Sequence, residues 1–272
     1  WPSVRIMQAL EEMQDNPTLH LAVHLAFVCS LRAGEVVGID VNSINPEDQS
    51  LWITQIIERV SDESLKQLPR ERIVQVFPKL VPQARSTLVL KAPKTDDSFR
   101  KQYLTAPLLE EILGRIAEIQ KNKEFLGPEY HDYGLLICQP DGKPIEPNSL
   151  CAAFRKWQTA HHISDQIDFQ GLRKSGQMHK VRLTKNNYQL VAENSGQSPE
   201  VLMSNYNEIL DSEKRDLSNL VESDLYPDQH KTEDKTQITQ LNPDSLLAKI
   251  KSDPAFSKQI LQLLLDSAAT AI

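Results

Sequence analysis

No stretch of the 272-residue chain approaches the ~18 consecutive apolar residues that a membrane span requires, so no membrane partner is expected. Cysteine is scarce. Cys29, Cys138 and Cys151 sit in apolar surroundings without the close spacing of a metal-ligand set, so no metal is expected. An odd number of thiols in such settings suggests buried, reduced side chains in a reducing cytoplasm. Positive charge is also short. The 30 Lys and Arg face 37 Asp and Glu, a net charge of −7 that argues against a uniformly basic nucleic-acid binder. No internal repeat is visible. What remains is 40% hydrophobic and 25% charged, the balance of an ordinary globular chain long enough for one large domain or two small ones. Trp1 leads directly into a helical pattern, as at the edge of an excised or processed fragment.

The distribution of charge says more than its sum. Residues 207–272 carry 12 acidic and 7 basic side chains, net −5. Residues 151–190 reverse the sign: Arg155, Lys156, Arg173, Lys174, Lys180, Arg182 and Lys185 face only Asp165 and Asp168, net +5. Such a cluster suits phosphates, and a solvated helix face is the competing reading.

Helical apolar spacing covers 3–12 and 18–31, the second with a core stripe of Leu19, Ala22, Val23, Ala26 and Phe27. Residues 51–57 read as a strand. Residues 87–90 and 101–104 read as two strands joined into a hairpin by Pro93-Lys94-Thr95-Asp96-Asp97. Residues 60–84, polar and interrupted by Pro69, Pro78 and Pro82, read as an irregular insertion with one short helix. Helical spacing returns over 106–121, 147–160, 171–183, 186–194, 199–205 and 207–222. Residues 223–243 are acidic without apolar periodicity, a linker, and 244–272 form a last amphipathic unit. The expected fold class is mostly α with a small antiparallel β-sheet, α+β, over residues 1–222.

Four segments carry candidate chemistry. They are Ser30-Leu31-Arg32-Ala33-Gly34-Glu35, Lys94-Thr95 with Ser98-Phe99-Arg100, Gln170-Gly171-Leu172-Arg173, and Ser195-Gly196-Gln197-Ser198 with Tyr206 nine positions after Gln197. Cutting a phosphodiester without a metal needs a nucleophile, an acid for the leaving oxygen, and fixed cations on the phosphorane-like transition state. The planar guanidinium fork suits the last role.

In this order the segments resemble the arginine boxes, the lysine hairpin and the tyrosine segment of the tyrosine site-specific recombinases, the phage integrase family. The likeness covers roughly residues 5–210. It implies the catalytic-domain fold of that family, with Tyr206 as nucleophile, Arg32 and Arg173 as phosphate clamps, and Glu35 as their orienting carboxylate. It implies Lys94 as the acid for the departing 5′-oxygen, with Lys91 as the fallback. Lys91, Arg100, Lys174, Lys180 and Arg182 are the expected DNA contacts. Double-stranded DNA is the implied partner, with a homotetramer on paired sites; the C-terminal unit is read either as a helix exchanged between neighbours or as one packing on its own domain. No cofactor is implied, and a cytoplasmic, nucleoid-associated location follows for a bacterial or phage protein. The family's N-terminal DNA-clamping domain is expected to be absent from this chain.

Two departures stand out. Gln170 and Gln197 occupy positions where the family carries histidine, and glutamine donates to phosphate but does not act as a base near neutral pH. Arg32 and Lys94 are also unusually far apart, 62 positions, with 60–84 as the insertion and decoration of the sheet as its expected role. A catalytically lapsed DNA-binding relative and a helical protein-interaction domain are the competing readings.

Overall fold

The computed structural model describes residues 1–79, 81–93, 98–205, 217–219, 221–222 and 225. The chain divides into two units, 1–207 and 208–272. Of the second, the described residues 217–219, 221–222 and 225 are helical. The rest of the expected 207–222 helix lies outside the described residues, as do the linker apart from Leu225 and the 244–272 unit.

In the first unit the order is α1 (Ser3–Glu12), α2 (Pro17–Val28), α3 (Ala33–Val37), β1 (Ile44–Asn45), β2 (Ser50–Ile53), β3 (Ile56–Ser61), α4 (Asp62–Gln67), β4 (Ile73–Val76), β5 (Ser86–Lys91), β6 (Arg100–Tyr103), α5 (Ala106–Leu126), α6 (Pro147–Ala160), α7 (Phe169–Leu183), α8 (Tyr188–Ser195) and α9 (Pro199–Asn205). The mostly helical α+β expectation holds.

Helix α2 starts where Asn16 accepts a hydrogen bond from the Leu19 N–H at 3.2 Å and Pro17 presets the first turn. Its buried residues run round the whole helix, not along one stripe, because α1, α3, α5, α6 and α7 all pack on it. Leu21, Val23 and Leu25 are fully enclosed, each contributing about 1.5–3 kcal/mol of burial. Helix α7 packs tightly on α2 at Gly176, where a Cβ would lie 2.1 Å from the Phe27 carbonyl oxygen. Only glycine permits that crossing.

The strands form two three-stranded antiparallel sheets, ordered β1-β2-β6 and β3-β5-β4. The single strand expected over 51–57 breaks at Thr54-Gln55 and changes sheet there, with Gln55 Nε2 donating to the Gly38 carbonyl at 3.0 Å. The expected hairpin is corrected as well. Strands 86–91 and 100–103 do not pair with each other: β5 pairs along its whole length with β3, and β6 pairs with β2. The 60–84 stretch decorates the sheet in a definite way, because its residues 73–76 add the edge strand β4 to β5. Its prolines bound that strand, Pro69 before it and Pro78 and Pro82 after it, where no ladder N–H is needed.

Candidate active site

The chain leaves α2 through Ser30, a non-glycine residue with φ of 52°. That turn aims the Ser30 carbonyl at Arg173, whose Nη1 donates to it at 2.6 Å across 143 positions of sequence. Arg32 then caps α3, and Glu35 in the first turn reaches back to accept from the Arg32 backbone N–H at 2.8 Å. The Glu35 carboxylate, 2% exposed, is the centre of the site. Arg100 on β6 forks onto it, Nη1 to Oε1 and Nη2 to Oε2, both at 3.0 Å. Arg32 Nη1 lies 3.2 Å from Oε1 and Arg173 Nη1 3.5 Å from Oε2. Burial pushes the Glu35 carboxyl up. The Arg100 hydrogen bonds and charge, then Arg173 and the Arg32 N–H, outweigh burial and hold it below the usual range.

Arg173 stands on α7, which begins where Asp168 accepts from the Gly171 N–H at 2.6 Å. It is almost completely buried, and its Nη2 donates to the Ser195 carbonyl at 2.7 Å and to Gln197 Oε1 at 3.2 Å. Burial first, then the Arg32 and Arg100 charges, push its guanidinium down to about 9 against the pull of Glu35, so it stays charged at neutral pH. Gln197 is delivered by the end of α8. Gly196 adopts the left-handed conformation (φ 63°, ψ 55°), and the Gln197 N–H returns to the Ala192 carbonyl at 3.2 Å. Four buried polar atoms gather round Arg173 without a partner among the described residues: Ser30 Oγ, Ser195 Oγ, Gln197 Nε2 and Arg100 Nε. Unmatched groups of this kind cost about 1–3 kcal/mol each.

Above this cluster lies a groove of about 800 Å³, lined by Arg32, Glu35, Arg59, Glu146, Gln197 and Val201 among others. Arg32 reaches it half-exposed. The structure thus brings together Arg32, Glu35, Arg173 and Gln197. Gln170 is not part of that group, being exposed in the first turn of α7 and outside the groove lining. Tyr206 and Lys94 lie outside the described residues.

The expected DNA contacts divide. Lys174 and Arg182 are exposed on α7. Arg100 is corrected: its side chain is buried and spent on Glu35, a partner 65 positions away that no local pattern reveals. Lys180 is also turned inward, donating to Asn194 Oδ1 at 2.6 Å, and burial pushes its ammonium down to about 8. Asn194 in turn exchanges hydrogen bonds with Gln102 on β6, so this network fixes the end of α8. Lys91 pairs with Glu58 at 2.5 Å. Arg59 and Glu146, both in the groove lining, carried no signal in the sequence. Among the described residues no group of His, Cys, Asp or Glu is arranged to hold a metal ion, and no helix is long and apolar enough to cross a membrane.

Curated protein sequences yield no match to the chain. Solved structures do. The Tn1549 transposon integrase in complex with a circular intermediate DNA superposes with a TM-score of 0.55 at 13% identity, covering 79% of this chain and 63% of that one. XerA recombinase gives 0.57 at 9% identity, covering 81% and 64%. At these identities the likeness is one of fold, and the chain spans less than two thirds of either protein. The sequence profile of the phage integrase family matches residues 3–191, more than half of the chain, and with the tyrosine-recombinase fold around the Glu35 cluster the chain belongs to the phage integrase family.

Proposed function

We propose that the chain is the catalytic part of a site-specific recombinase that cuts and rejoins double-stranded DNA through Tyr206. The observation that carries this reading is the convergence of Arg32 and Arg173, from two distant segments, on the buried Glu35 carboxylate, with Gln197 held by Arg173, beneath an open groove. Guanidiniums held by a buried carboxylate meet a phosphate without reorganising, which is how preorganised charge stabilises a developing anion.

In the reaction the Tyr206 phenol gives up its proton to solvent, its oxygen attacks the phosphorus and the P–O5′ bond breaks. A 3′-phosphotyrosine forms, and the 5′-oxygen leaves with a proton from Lys94. Arg32 at the groove binds the non-bridging oxygens, and the buried Arg173, which holds Gln197, adds its positive charge from below. The 5′-hydroxyl of a second strand then attacks the phosphotyrosine and restores Tyr206. No phosphodiester energy is lost, so the cycle needs no nucleotide. Strand exchange between paired sites takes a homotetramer, as in the integration or excision of a mobile element.

The second reading, a lapsed DNA-binding relative, draws on Gln170 and Gln197 in place of histidines. A nicked duplex that loses its short 5′-hydroxyl fragment on cleavage separates the two. An adduct resistant to denaturant, present with this chain and absent with Tyr206→Phe, supports recombination chemistry. Salt-sensitive DNA binding without an adduct supports the lapsed reading.

A further inference from the structure

Arg59 on β3 and Glu146, the residue before α6, line the groove but have no part in the chemistry above. They lie 87 positions apart and meet as a fork, Arg59 Nε to Oε1 at 2.6 Å and Nη2 to Oε2 at 2.8 Å, with Nη1 3.4 Å from Ser86 Oγ. The pair is not buried, with side-chain exposures of 37% and 22%, and pairs so exposed add little to folding. Next to it on the same strand, Glu58 pairs with Lys91, a residue outside the groove lining. A cation at a groove fit for a polyanion is therefore matched by a carboxylate of the chain itself. A carboxylate and a phosphate present the same two-oxygen edge to a guanidinium, so either satisfies the Arg59 fork.

We propose that Arg59 is a DNA-backbone contact held in reserve by Glu146: when a duplex docks in the groove, the guanidinium passes from the carboxylate to a phosphate. This rests on the reading of the groove as a DNA site. The exchange sets a threshold. A duplex in loose encounter does not displace the carboxylate from the fork and meets the Glu146 charge as repulsion. A duplex seated on Arg32 and Gln197 presents its backbone to Arg59 and displaces the carboxylate. Glu146 thereby weakens non-specific binding more than seated binding, which is discrimination by an unfavourable contact. The charge ledger follows. In the native chain the phosphate gained by Arg59 is balanced by a carboxylate released to the counterions, so the exchange adds nothing to the salt dependence. Without Glu146 the same contact releases one net counterion.

The test uses the full chain and a labelled mixed-sequence duplex, with affinity measured across a range of salt for the native protein, Glu146→Gln, Arg59→Gln and the double variant. Glu146→Gln is expected to bind roughly three- to tenfold tighter at low salt, with the slope of log K against log salt steeper by about 0.9. Arg59→Gln is expected to bind no tighter than the native chain, and the double variant to lose the Glu146→Gln gain in both affinity and slope. Thermal unfolding of all four should coincide within a few degrees, since the pair is exposed. An unchanged affinity in Glu146→Gln overturns the proposal. So does a gain that persists without Arg59, because Glu146 then acts only as a bulk negative charge. If the native chain and all three variants show no salt-dependent binding, the reading of the groove as a DNA site falls first and takes the exchange with it.

Discussion

Replacing Glu35 with glutamine removes one charge and almost no volume, so its effect reports on electrostatics alone. Three guanidiniums converge on that carboxylate, and two of them, Arg100 and Arg173, are buried. Breaking a buried pair by neutralising one partner leaves the other charge uncompensated and costs about 3–5 kcal/mol. For a unit of this size each kcal/mol lowers Tm by about 2–4 °C, so Glu35→Gln should melt roughly 6–20 °C below the native chain. The difference should depend on pH. The folded-state pKa of Glu35 lies below its unfolded value, so its contribution is fully present above the ordinary carboxylate range and is lost as pH falls through the folded value. The gap between the two proteins should be constant near neutrality and close in acid. Adding Arg100→Met to Glu35→Gln should recover part of the loss, because an apolar residue no longer demands a counter-charge. Differential scanning calorimetry across pH checks all three. A drop under about 2 °C, or a gap that widens in acid, would refute the view of Glu35 as the site's electrostatic centre.

Other consequences are open to direct measurement. Gly176→Ala forces a Cβ to within 2.1 Å of the Phe27 carbonyl oxygen, so urea unfolding should show a loss of roughly 3 kcal/mol or more, at the top of the overpacking range. Gly196→Ala places a side chain in the left-handed region at the end of α8 and should cost about 1 kcal/mol in the same assay. Arg32→Lys keeps the charge but loses the planar fork at the groove. DNA cleavage by the variant on a nicked substrate should fall about 10²-fold or more, while its stability changes by less than about 1 kcal/mol. Lys180 has a folded pKa of about 8, below its ordinary value of 10.5, so the folded chain binds fewer protons than the unfolded chain between those values. Relative to Lys180→Met, native stability should rise with pH across that window, and a flat difference would contradict the buried placement of the ammonium.

The helices were largely legible because their signals are local. Asn16-Pro17 starts α2, Asp168 caps α7, and Gly196 ends α8, each within a few residues of the apolar pattern it bounds. The sheets were less so, since strand partners are chosen across distance: β5 finds β3 and β4 instead of the neighbour that the Pro93–Asp97 turn suggested. The 73–76 strand was hidden by prolines that in fact mark its ends. At the site, the Arg32 and Arg173 segments stood out by resemblance, and Glu35 with them. That Arg100 serves Glu35, and not DNA, depends on a contact between β6 and α3. That Ser30 turns its carbonyl to Arg173 depends on a positive φ at a residue type that rarely adopts one. Arg59 and Glu146 belong to no motif, and only the folded groove places them together.

Attack of Tyr206 on DNA, at a site charged by the Glu35 cluster, is tested most directly by digesting the covalent adduct formed on a nicked duplex and mapping the nucleotide-bearing peptide by mass spectrometry. A peptide containing Tyr206 linked to a 3′-phosphate, with a free 5′-hydroxyl on the released strand, is the expected result. A linkage through another residue, a 5′-phosphate linkage, or no adduct from a chain that binds the duplex would contradict it.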